Sequence, residues 1–473
     1  MSRTIQIPVE PRLLPGEDDT IVALSTASGR GALAIVRLCG PATFSIAERL
    51  VTPWPVEPRH AVLCRVHDPN DRSLIDQCIV SVFPSPRSYT GDDTVEFSIH
   101  GGNAVAEALV AALIRAGSRE ARPGEFTRRA VLNGKLDLVQ AEAIGDLIDA
   151  TSDSMRRVVL HQLDGGLSRQ VEDLRNALLD LEALLAYDID FPEEDHGPIK
   201  HTHVGDSAEV VQRMLRSLLE TTPATELVRE GAVVVIAGRP NVGKSSLFNA
   251  IVGEKRAIVT DVPGTTRDAI EARVQFRTWP IRLTDTAGLR QTDELVERLG
   301  IEVSERYLKG AHVIVVCDDD AAELPKTLQS VKAASSAPTI AVLTKADRLA
   351  RSEHHSLVTN PATPDGAKPL RVSAHSREGL TELGEQVERE LESRYGAVPV
   401  TRPALTRARQ QVAIERASNE LAAFQRHWEV ADLPAPIAAV HIRSAIAALD
   451  ELIGAVDTED VLGRLFATFC IGK

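Results

Sequence analysis

The stretch Gly238-Arg-Pro-Asn-Val-Gly-Lys-Ser245 decides the fold of the central part of this chain. An apolar run typical of a buried strand, residues 233–237, precedes it, and a run typical of a helix, residues 246–252, follows it. In this context glycines let backbone N–H groups face phosphate oxygens, Lys244 neutralises phosphate charge, and the Ser245 hydroxyl reaches Mg2+. The stretch therefore predicts a P-loop domain that binds a nucleotide.

Two downstream segments supply the parts that a GTPase needs around the γ-phosphate. Gly264-Thr-Thr-Arg-Asp268 offers Thr266, whose hydroxyl would complete the Mg2+ shell. Asp285-Thr-Ala-Gly288 follows a strand-like run, so its Asp would hold metal-bound water while the Gly N–H meets the γ-phosphate. Ser245 and Thr266 are thus the predicted Mg2+ ligands.

Two further segments select the base. Asp347, in Thr344-Lys-Ala-Asp347, would accept two hydrogen bonds from the N1–H and N2 edge of guanine, a donor pair that adenine lacks. Ser373-Ala374 would close the pocket beneath O6. The sequence therefore predicts GTP and not ATP. Thr344 stands where such loops usually begin with Asn, so we expect reduced loop rigidity and affinity with unchanged base identity.

The predicted GTP-binding residues come from these five segments and their immediate neighbours. They are Asn241, Val242, Gly243, Lys244, Ser245, Ser246, Thr260, Asp261, Val262, Pro263, Gly264, Thr265, Thr266, Asp285, Thr286, Ala287, Gly288, Thr344, Lys345, Ala346, Asp347, Ser373, Ala374 and His375.

The catalytic parts differ from those of a Ras-like switch. Leu289 stands where a water-orienting Gln would otherwise lie. Glu297 is the candidate base, acting directly or through a bridging water, although the residues alone favour a solvated acid of the charged helical run 293–305. A monovalent cation held by Asn241 and the backbone of the 260–265 loop would supply missing positive charge between the β- and γ-phosphates.

Composition excludes several classes of protein. The 473 residues, 43% of them hydrophobic, predict several domains with packed cores. A formal net charge of -14 argues against a general polyanion binder, so RNA contact would need a local basic patch or a partner protein. No apolar run is long enough to span a bilayer, and residues 1–19 lack the apolar core of an export signal, which predicts a cytoplasmic protein.

The five cysteines are scattered and show no metal-binding or redox spacing, so they are predicted to be reduced thiols. Four of them lie in apolar strand-like runs and are expected in the core. Cys470 differs because it lies in a terminal segment that would fray unless something binds it.

The order of patterns predicts an α/β plus α fold. Residues 1–135 alternate short β-like runs with two helical ones and form an N-terminal α/β domain. The predicted strands are 20–25, 32–38, 61–66, 77–83 and 94–100, and the predicted helices are 41–51 and 103–116. Residues 136–228 and 391–473 form two helical segments that would build one bundle, and a Ras-like G domain, residues 229–390, is inserted between them. Two apolar stripes mark the bundle core: Leu167, Val171, Leu174, Leu178, Leu181 and Leu185, then Ile442, Ile446, Leu449, Ile453 and Val456.

Motifs outside the nucleotide loops carry a resemblance to the MnmE (TrmE) family of bacterial and mitochondrial tRNA-modification GTPases, from Asp19 to Lys473. They are Ser88-Tyr-Thr-Gly91, His100-Gly-Gly102, Ala121-Arg-Pro-Gly-Glu-Phe-Thr127, Leu132-Asn-Gly-Lys-Leu-Asp137, Gln140-Ala-Glu-Ala143, Asp190-Phe-Pro-Glu-Glu-Asp195 and Phe469-Cys-Ile-Gly-Lys473. The chain departs from the family at Thr344, at Thr26-Ala-Ser-Gly-Arg-Gly-Ala32, and in an N-terminal extension of about eighteen residues.

The resemblance implies a homodimer, joined through N-terminal domains that bind a tetrahydrofolate one-carbon donor, 5,10-methylenetetrahydrofolate or 5-formyltetrahydrofolate. By motif match, the folate would contact Arg37, Glu96, Lys135 and the terminal Lys473. A carboxylate suits the pterin donor edge, and Arg and Lys suit the anionic glutamate tail.

The resemblance also implies the catalytic residues and partners. Glu297 matches the catalytic Glu of the family, Cys470 would lie near the one-carbon chemistry, and K+ would promote G-domain pairing and hydrolysis. The K+ ligands would be Asn241, Thr260, Val262 and Thr265. With the FAD-dependent partner MnmG (GidA), in a heterotetramer, such a protein installs an aminomethyl or carboxymethylaminomethyl group at C5 of the wobble uridine of certain tRNAs.

Two other classes of protein remain open on the sequence alone. Ribosome-assembly GTPases share the Asn-Val-Gly-Lys-Ser loop but have no place for a folate-type N-terminal domain or a Cys-Ile-Gly-Lys tail. A non-enzymatic folate-binding scaffold would carry a degenerate G domain, whereas Lys244, Ser245, Thr266, Asp285 and Asp347 are all present.

Overall fold

The computed structural model describes residues 16, 18–190, 201–254, 270–285, 307–348, 368–430, 435–454, 469 and 472. These residues form two compact units, treated separately below. The first lies within Met1–Asp146, Leu163–Pro192 and Pro434–Lys473, and the second within Leu147–Gln162 and Glu193–Leu433.

The strands and helices are numbered along the chain. The strands are β1 (Ile21–Leu24), β2 (Leu33–Cys39), β3 (Val51–Thr52), β4 (Val62–His67), β5 (Leu74–Phe83), β6 (Thr94–His100), β7 (Arg119–Glu120), β8 (Ala232–Gly238), β9 (Ile270–Phe276), β10 (Trp279–Asp285), β11 (Val313–Asp318), β12 (Thr339–Leu343) and β13 (Leu370–Arg371). The helices are α1 (Thr43–Leu50), α2 (Asn103–Arg115), α3 (Glu125–Leu132), α4 (Leu138–Asp149), α5 (Asp153–Leu163), α6 (Gly166–Asp190), α7 (His201–Leu219), α8 (Thr222–Glu230), α9 (Lys244–Glu254), α10 (Leu324–Ala334), α11 (Leu380–Tyr395), α12 (Ala408–Val430) and α13 (Ala435–Ile453).

The first unit is built on a seven-stranded sheet with the order β3-β4-β5-β6-β2-β1-β7. Alternate residues of its central strands, among them Val36, Phe97 and Val80, are fully buried and form one core with α1 and α2. The intervening residues point to the opposite face. Because β2 and β6 are antiparallel, Arg37 lies directly opposite Glu96 on that face.

Helices α6 and α13 pack against each other in the same unit. The predicted stripe of α6, from Leu167 to Leu185 at spacings of four and three, is buried throughout, which confirms the predicted helix face. Arg175 on α6 forms an ion pair with Asp450 on α13 at 2.5 Å. The last member of the second predicted stripe, Val456, lies outside the described residues.

The second unit contains a six-stranded sheet with the order β13-β12-β11-β8-β10-β9. Strand β8 is central, with β11 and β10 running parallel to it on either side. The chain continues from β8 to β10 on one side of it and later to β11 on the other side. In α/β sheets such a change of direction leaves a crevice at the carboxyl end of the strand, and ligands bind there. The P-loop begins at this end. Helices α7 and α12 also pair in this unit, where Gln212 donates to Ser418 at 2.8 Å.

Several sequence predictions fall within a residue or two of the observed bounds. Strand Thr94–His100 is as predicted, and Cys39, Cys64, Cys78 and Cys317 are buried, as expected for core thiols. Helix α3 was missed because six consecutive residues, Glu125 to Ala130, are buried. Its eight residues span little more than two turns, and buried charged residues such as Glu125 and Arg129 do not follow the pattern of buried apolar residues that identifies a helix.

Candidate functional site

The P-loop holds backbone conformations that its sequence anticipates. A Cβ on Gly238 would lie 2.1 Å from the carbonyl oxygen of Cys317, so no larger residue fits beside β11. Gly243 has φ +100° and Asn241 has φ +61°, a region that glycine and asparagine tolerate best. The conformation of the loop therefore depends on the close contact of Gly238 with β11 and on the left-handed backbone at Asn241 and Gly243.

Lys244 is buried and points back into the loop. Its ammonium donates to the carbonyl oxygens of Gly238 at 3.0 Å and Arg239 at 2.6 Å. These contacts place the positive charge inside the loop, where phosphate oxygens bind in P-loop proteins. Ser245 and Ser246, the next residues of α9, are exposed.

Thr344 connects the guanine loop to the P-loop. Its buried hydroxyl donates to the carbonyl oxygen of Val242 and lies 3.2 Å from that of Asp318. Lys345 makes a second connection, since its ammonium contacts the carbonyl oxygen of Asn241 at 3.0 Å and the carboxylate of Asp319 at 2.6 Å. Both loops are therefore held together, although Thr replaces the usual Asn.

A cavity of about 470 Å³ lies beside these loops. Its lining includes Thr344, Asp347, Ala374 and His375, together with Gly243 of the P-loop. This volume is within the range of small-molecule sites. The sequence segments predicted to bind guanine thus surround a single opening next to the phosphate loop.

Asp347 is fixed in this cavity by Ser373, whose hydroxyl donates to its carboxylate at 2.7 Å. That hydrogen bond lowers the pKa of Asp347 below its ordinary value, so the group is charged at neutral pH. Its second oxygen and remaining lone pairs suit the two N–H donors of guanine. Ser373 is therefore placed as a support for Asp347.

Arg239 and Asp318 form an ion pair that anchors the start of the P-loop to β11. The guanidinium meets the fully buried carboxylate through two hydrogen bonds of 2.9 and 2.5 Å. Thr327 and the backbone N–H of Asp320 also donate to it. Burial acts to raise the pKa of Asp318, but the hydrogen bonds from Arg239 and Thr327 outweigh it and hold the pKa below its ordinary value.

Asp285 is the one predicted residue of the two γ-phosphate segments that the structure describes. Asp285 ends β10, is buried, and lies in register with Ile236 of β8. The other predicted residues of the two γ-phosphate segments, the candidate base and the terminal motif lie outside the described residues: Thr260, Asp261, Val262, Pro263, Gly264, Thr265, Thr266, Thr286, Ala287, Gly288, Glu297, Cys470 and Lys473.

In the first unit, Arg37 and Glu96 form an ion pair at 2.8 Å on the open face of the sheet. The Arg37 guanidinium also lies over two aromatic rings, 5.2 Å from the centre of Tyr89 and 5.4 Å from that of Phe126. The Tyr89 hydroxyl is hydrogen-bonded to Thr127 at 2.9 Å. Two predicted folate residues are thus in contact, in a pocket of aromatic rings.

Lys135 does not contact this ion pair directly. Its ammonium donates to the carbonyl oxygen of Pro86 at 3.0 Å, in the turn that leads to Tyr89. Both Lys135 and Arg37 therefore contact one short segment of chain, residues 86–89.

The C-terminal segment returns to the same unit. Gly472 is buried, has φ +99°, and a Cβ there would lie 2.1 Å from the carbonyl oxygen of Leu24 and 2.9 Å from Ser25. Phe469 packs with Leu138 and Ala141. Leu24 ends β1, in which Ala23 lies opposite Arg37, so Gly472 lies close to this corner of the sheet.

The sequence was compared with family models and with curated proteins. The model for the GTP-binding protein TrmE N-terminus matches residues 20–135, and that for the MnmE helical domain matches residues 138–470. The tRNA modification GTPase MnmE of Aquifex aeolicus (strain VF5) is 38% identical over 96% of this chain and 100% of its own length. The chain belongs to the MnmE family of tRNA modification GTPases. The predicted class, a GTP hydrolase, is confirmed by that membership.

Other members of the MnmE family are equally similar. The proteins of the same name from Azoarcus sp. (strain BH72) and Phenylobacterium zucineum (strain HLK1) are each 40% identical, over 97% and 96% of this chain. The matches cover 99% and 100% of their own lengths.

Within the described ranges, no helix combines the length and apolarity needed to cross a bilayer.

Sequence reasoning missed the residues that support the predicted MnmE-type sites. Asp318 contacts Arg239 of the P-loop and lies outside every motif, whereas Tyr89 and Phe126, which contact Arg37, lie within motifs but had no predicted role. One signal was available for Asp318, because a carboxylate directly after a strand of five apolar residues is expensive to bury without a partner.

Proposed function

We propose that this protein is a K+-stimulated GTPase that acts with an FAD-dependent MnmG partner on tRNA. The pair adds an aminomethyl or carboxymethylaminomethyl group at C5 of the wobble uridine, position 34, of certain tRNAs. The carbon comes from 5,10-methylenetetrahydrofolate or 5-formyltetrahydrofolate bound to the N-terminal domain. GTP hydrolysis contributes no atom to the product and drives a conformational change of the G domains.

The observation that carries this proposal is the position of Gly472. It is buried against Leu24 and Ser25, beside the strand that pairs with Arg37. Because Gly472 is seated there, we propose that Cys470 and Lys473 act at the corner that holds Arg37 and Glu96. A one-carbon donor bound at that corner would then meet the terminal motif.

The residues at the corner fit a folate. Glu96 offers a carboxylate for the donor edge of a pterin and is held in place by Arg37, and Lys135 offers a cation for the glutamate tail. The exposed ring of Tyr89, beside the Arg37 guanidinium, adds flat apolar surface for an aromatic ligand, and the buried ring of Phe126 packs against the same guanidinium. These side chains would bind and orient the donor.

The nucleotide site fits GTP with Mg2+. Ser245 and Thr266 supply hydroxyl oxygens and Asp285 a carboxylate for metal-bound water, the hard ligands that Mg2+ prefers. Bound Mg2+ would neutralise charge on the β- and γ-phosphates. Lys244 binds the same oxygens, and Glu297 accepts the proton of the attacking water. We place K+ at Asn241 and at Thr260, Val262 and Thr265.

The proposal includes the domain organisation. Residues 1–135 form the folate-binding and dimerisation domain, residues 136–228 and 391–473 form the helical domain, and residues 229–390 form the G domain. Two copies pair and bind MnmG in a heterotetramer. A cytoplasmic location stays a prediction.

Nucleoside mass spectrometry of total tRNA tests the proposal. Cells that lack the gene should lose C5-aminomethyl-type wobble uridines, and wild type should restore them. Lys244→Ala, Glu96→Gln and Cys470→Ser should each fail to restore them, at equal protein level. An unchanged nucleoside profile in the deletion strain would contradict the tRNA role.

GTP turnover in KCl and in NaCl tests the cation. Hydrolysis should be faster in K+, the cation that we place beside the β- and γ-phosphates, and Asn241→Ala should remove the difference. Equal wild-type rates in both salts would contradict the K+ site and leave the tRNA role untouched.

A further inference from the structure

Three exposed cations surround one turn beside the proposed folate corner. Arg59 donates from its guanidinium to the carbonyl oxygen of Arg87 at 2.6 Å, and Lys135 donates to that of Pro86 at 3.0 Å. The side chain of Arg87 leaves from the same turn. Since Pro86 and Arg87 are neighbours in the chain, the three charges lie on the order of 10 Å from one another, about one Debye length.

Within the described part of the first unit, these three cations differ from several arginines in having no acidic partner. Arg37, Arg115 and Arg119 each form an ion pair with a carboxylate. Among the described residues, no carboxylate oxygen lies within 4 Å of a charged nitrogen of Arg59, Arg87 or Lys135. An arginine has five N–H donors and a lysine three, so one hydrogen bond to a carbonyl leaves most of them available.

The nearby acidic groups are engaged elsewhere. Glu57 lies 3.7 Å from His60, and Asp93 accepts a hydrogen bond from the backbone N–H of Ser85 at 2.8 Å. These two carboxylates keep their negative charge, but the three cations outnumber them, on a chain whose overall charge is -14.

The turn is also joined to the corner that would hold the folate head. Tyr89, two residues after Arg87, lies against the Arg37 guanidinium, which is paired with Glu96. If a ligand bound with its ring system at Arg37 and Glu96, an acidic tail extending from it toward solvent would pass this turn.

We propose that Arg59, Arg87 and Lys135 form a docking site for the poly-γ-glutamate tail of a folate whose head lies at Arg37 and Glu96. Each γ-linked glutamate adds one carboxylate, and successive carboxylates are roughly 6 Å apart along an extended tail. Three cations within about 10 Å match two or three such groups. This inference rests on the proposed folate site and adds a specificity for tail length.

A small cluster suits a short polyanion better than a nucleic acid. Nucleic-acid interfaces neutralise many phosphates and bury on the order of 1,000 Å² or more of protein surface. Three cations on one turn offer charge for only a few carboxylates.

The test compares the affinities of the full-length protein for 5-formyltetrahydrofolate with one and with five glutamates. Wild type should bind the pentaglutamate roughly tenfold more tightly, and raising NaCl from 0.05 to 0.5 M should remove most of this preference. The double variant Arg59→Gln/Arg87→Gln should bind both forms equally. Arg59→Lys should keep most of the preference, because the charge remains.

Arg72→Gln is the matched control. Arg72 is also exposed and also donates to a carbonyl oxygen, that of Arg49 at 2.8 Å, but it lies at the other end of the β4-β5 hairpin. It should keep the wild-type preference. Unchanged GTP turnover and melting temperature would show that the double variant is folded.

The outcomes separate the two proposals. Binding of both folates with equal wild-type affinity would overturn the tail site and leave the folate corner intact. Failure to bind either form would overturn the folate corner, and the tail site with it. A double variant that keeps the preference but loses tRNA affinity would overturn the tail site in favour of phosphate binding.

Discussion

The hydroxyl of Thr344 donates a hydrogen bond to the main-chain carbonyl of Val242, 102 residues earlier in the chain. It therefore joins the loop that recognises guanine to the loop that holds the phosphates. Thr344, which replaces the usual Asn of such loops, therefore connects the two parts of the predicted nucleotide site.

Thr344→Val should weaken GTP binding. The substitution keeps the shape of the side chain but leaves the buried Val242 carbonyl without this donor, which costs about 1–2 kcal/mol, or roughly 5- to 30-fold in Kd. Titration with a fluorescent GTP analogue measures the change. Thr344→Ser keeps the hydroxyl and should bind almost as wild type; equal affinity of the Val and wild-type proteins would refute a role for the connection.

Asp347→Asn should change the preferred base. An amide offers a donor where guanine also presents donors, so we expect GTP affinity to fall by roughly 10- to 100-fold and xanthosine triphosphate to be preferred. Competition binding with both nucleotides measures the switch. A variant that still prefers GTP would show that the base is recognised by other groups.

Guanine recognition should also be insensitive to mild acid. The Ser373 hydrogen bond lowers the pKa of Asp347, so the carboxylate keeps its charge until the pH falls below its ordinary value near 4. GTP affinity relative to ATP should be constant from pH 8 to pH 5. In Ser373→Ala, which removes the cause of the lowered pKa, the preference should begin to fall at a higher pH.

Asp318→Asn should destabilise the second unit and loosen the P-loop. Loss of the charge weakens four hydrogen bonds to a buried group, at a cost of about 1–3 kcal/mol in the free energy of unfolding. Because the pKa of Asp318 is lowered by folding, its contribution is present above the unfolded pKa near 4 and disappears as the pH falls through the folded value.

A double-mutant cycle with Arg239→Gln checks the assignment. If the two side chains act as a pair, the double variant should lose less stability and less GTP affinity than the two single variants added together. Strict additivity would show that Arg239 anchors the loop through some other contact.

His312 should make stability fall in weak acid. Its Nδ1 accepts a hydrogen bond from the backbone N–H of Val233 at 2.9 Å, and burial, then Arg394 and Arg282, lower the pKa of His312. The unfolded chain therefore binds the proton first, and stability decreases as the pH falls below the unfolded value near 6.5.

His312→Asn tests this expectation, because its side-chain oxygen can replace Nδ1 as acceptor and does not titrate. Melting temperatures at pH 7.5 and 5.5 should differ less in the variant than in wild type, by roughly 1–3 °C. His427→Asn, on an unrelated helix, serves as a control for the remaining histidines.

Local sequence patterns were sufficient for the parts of the fold that depend on local periodicity. The buried stripe from Leu167 to Leu185 on α6 follows from spacings of four and three, and strand Thr94–His100 follows from alternation. Helix α3 escaped prediction because tertiary burial of polar residues such as Glu125 and Arg129 is satisfied by ion pairs that no local pattern shows.

The sequence by itself determined which nucleotide binds and which family the chain belongs to. The P-loop and the base-reading segment are short, and the groups that recognise phosphate and base in each of them are close together in the sequence. Only the tertiary structure decided what holds those segments in place. The contacts Thr344 to Val242, Arg239 to Asp318 and Arg59 to Arg87 join residues far apart in the chain. They depend on which strands become neighbours in a sheet, and strand order is settled by the packing of the whole domain.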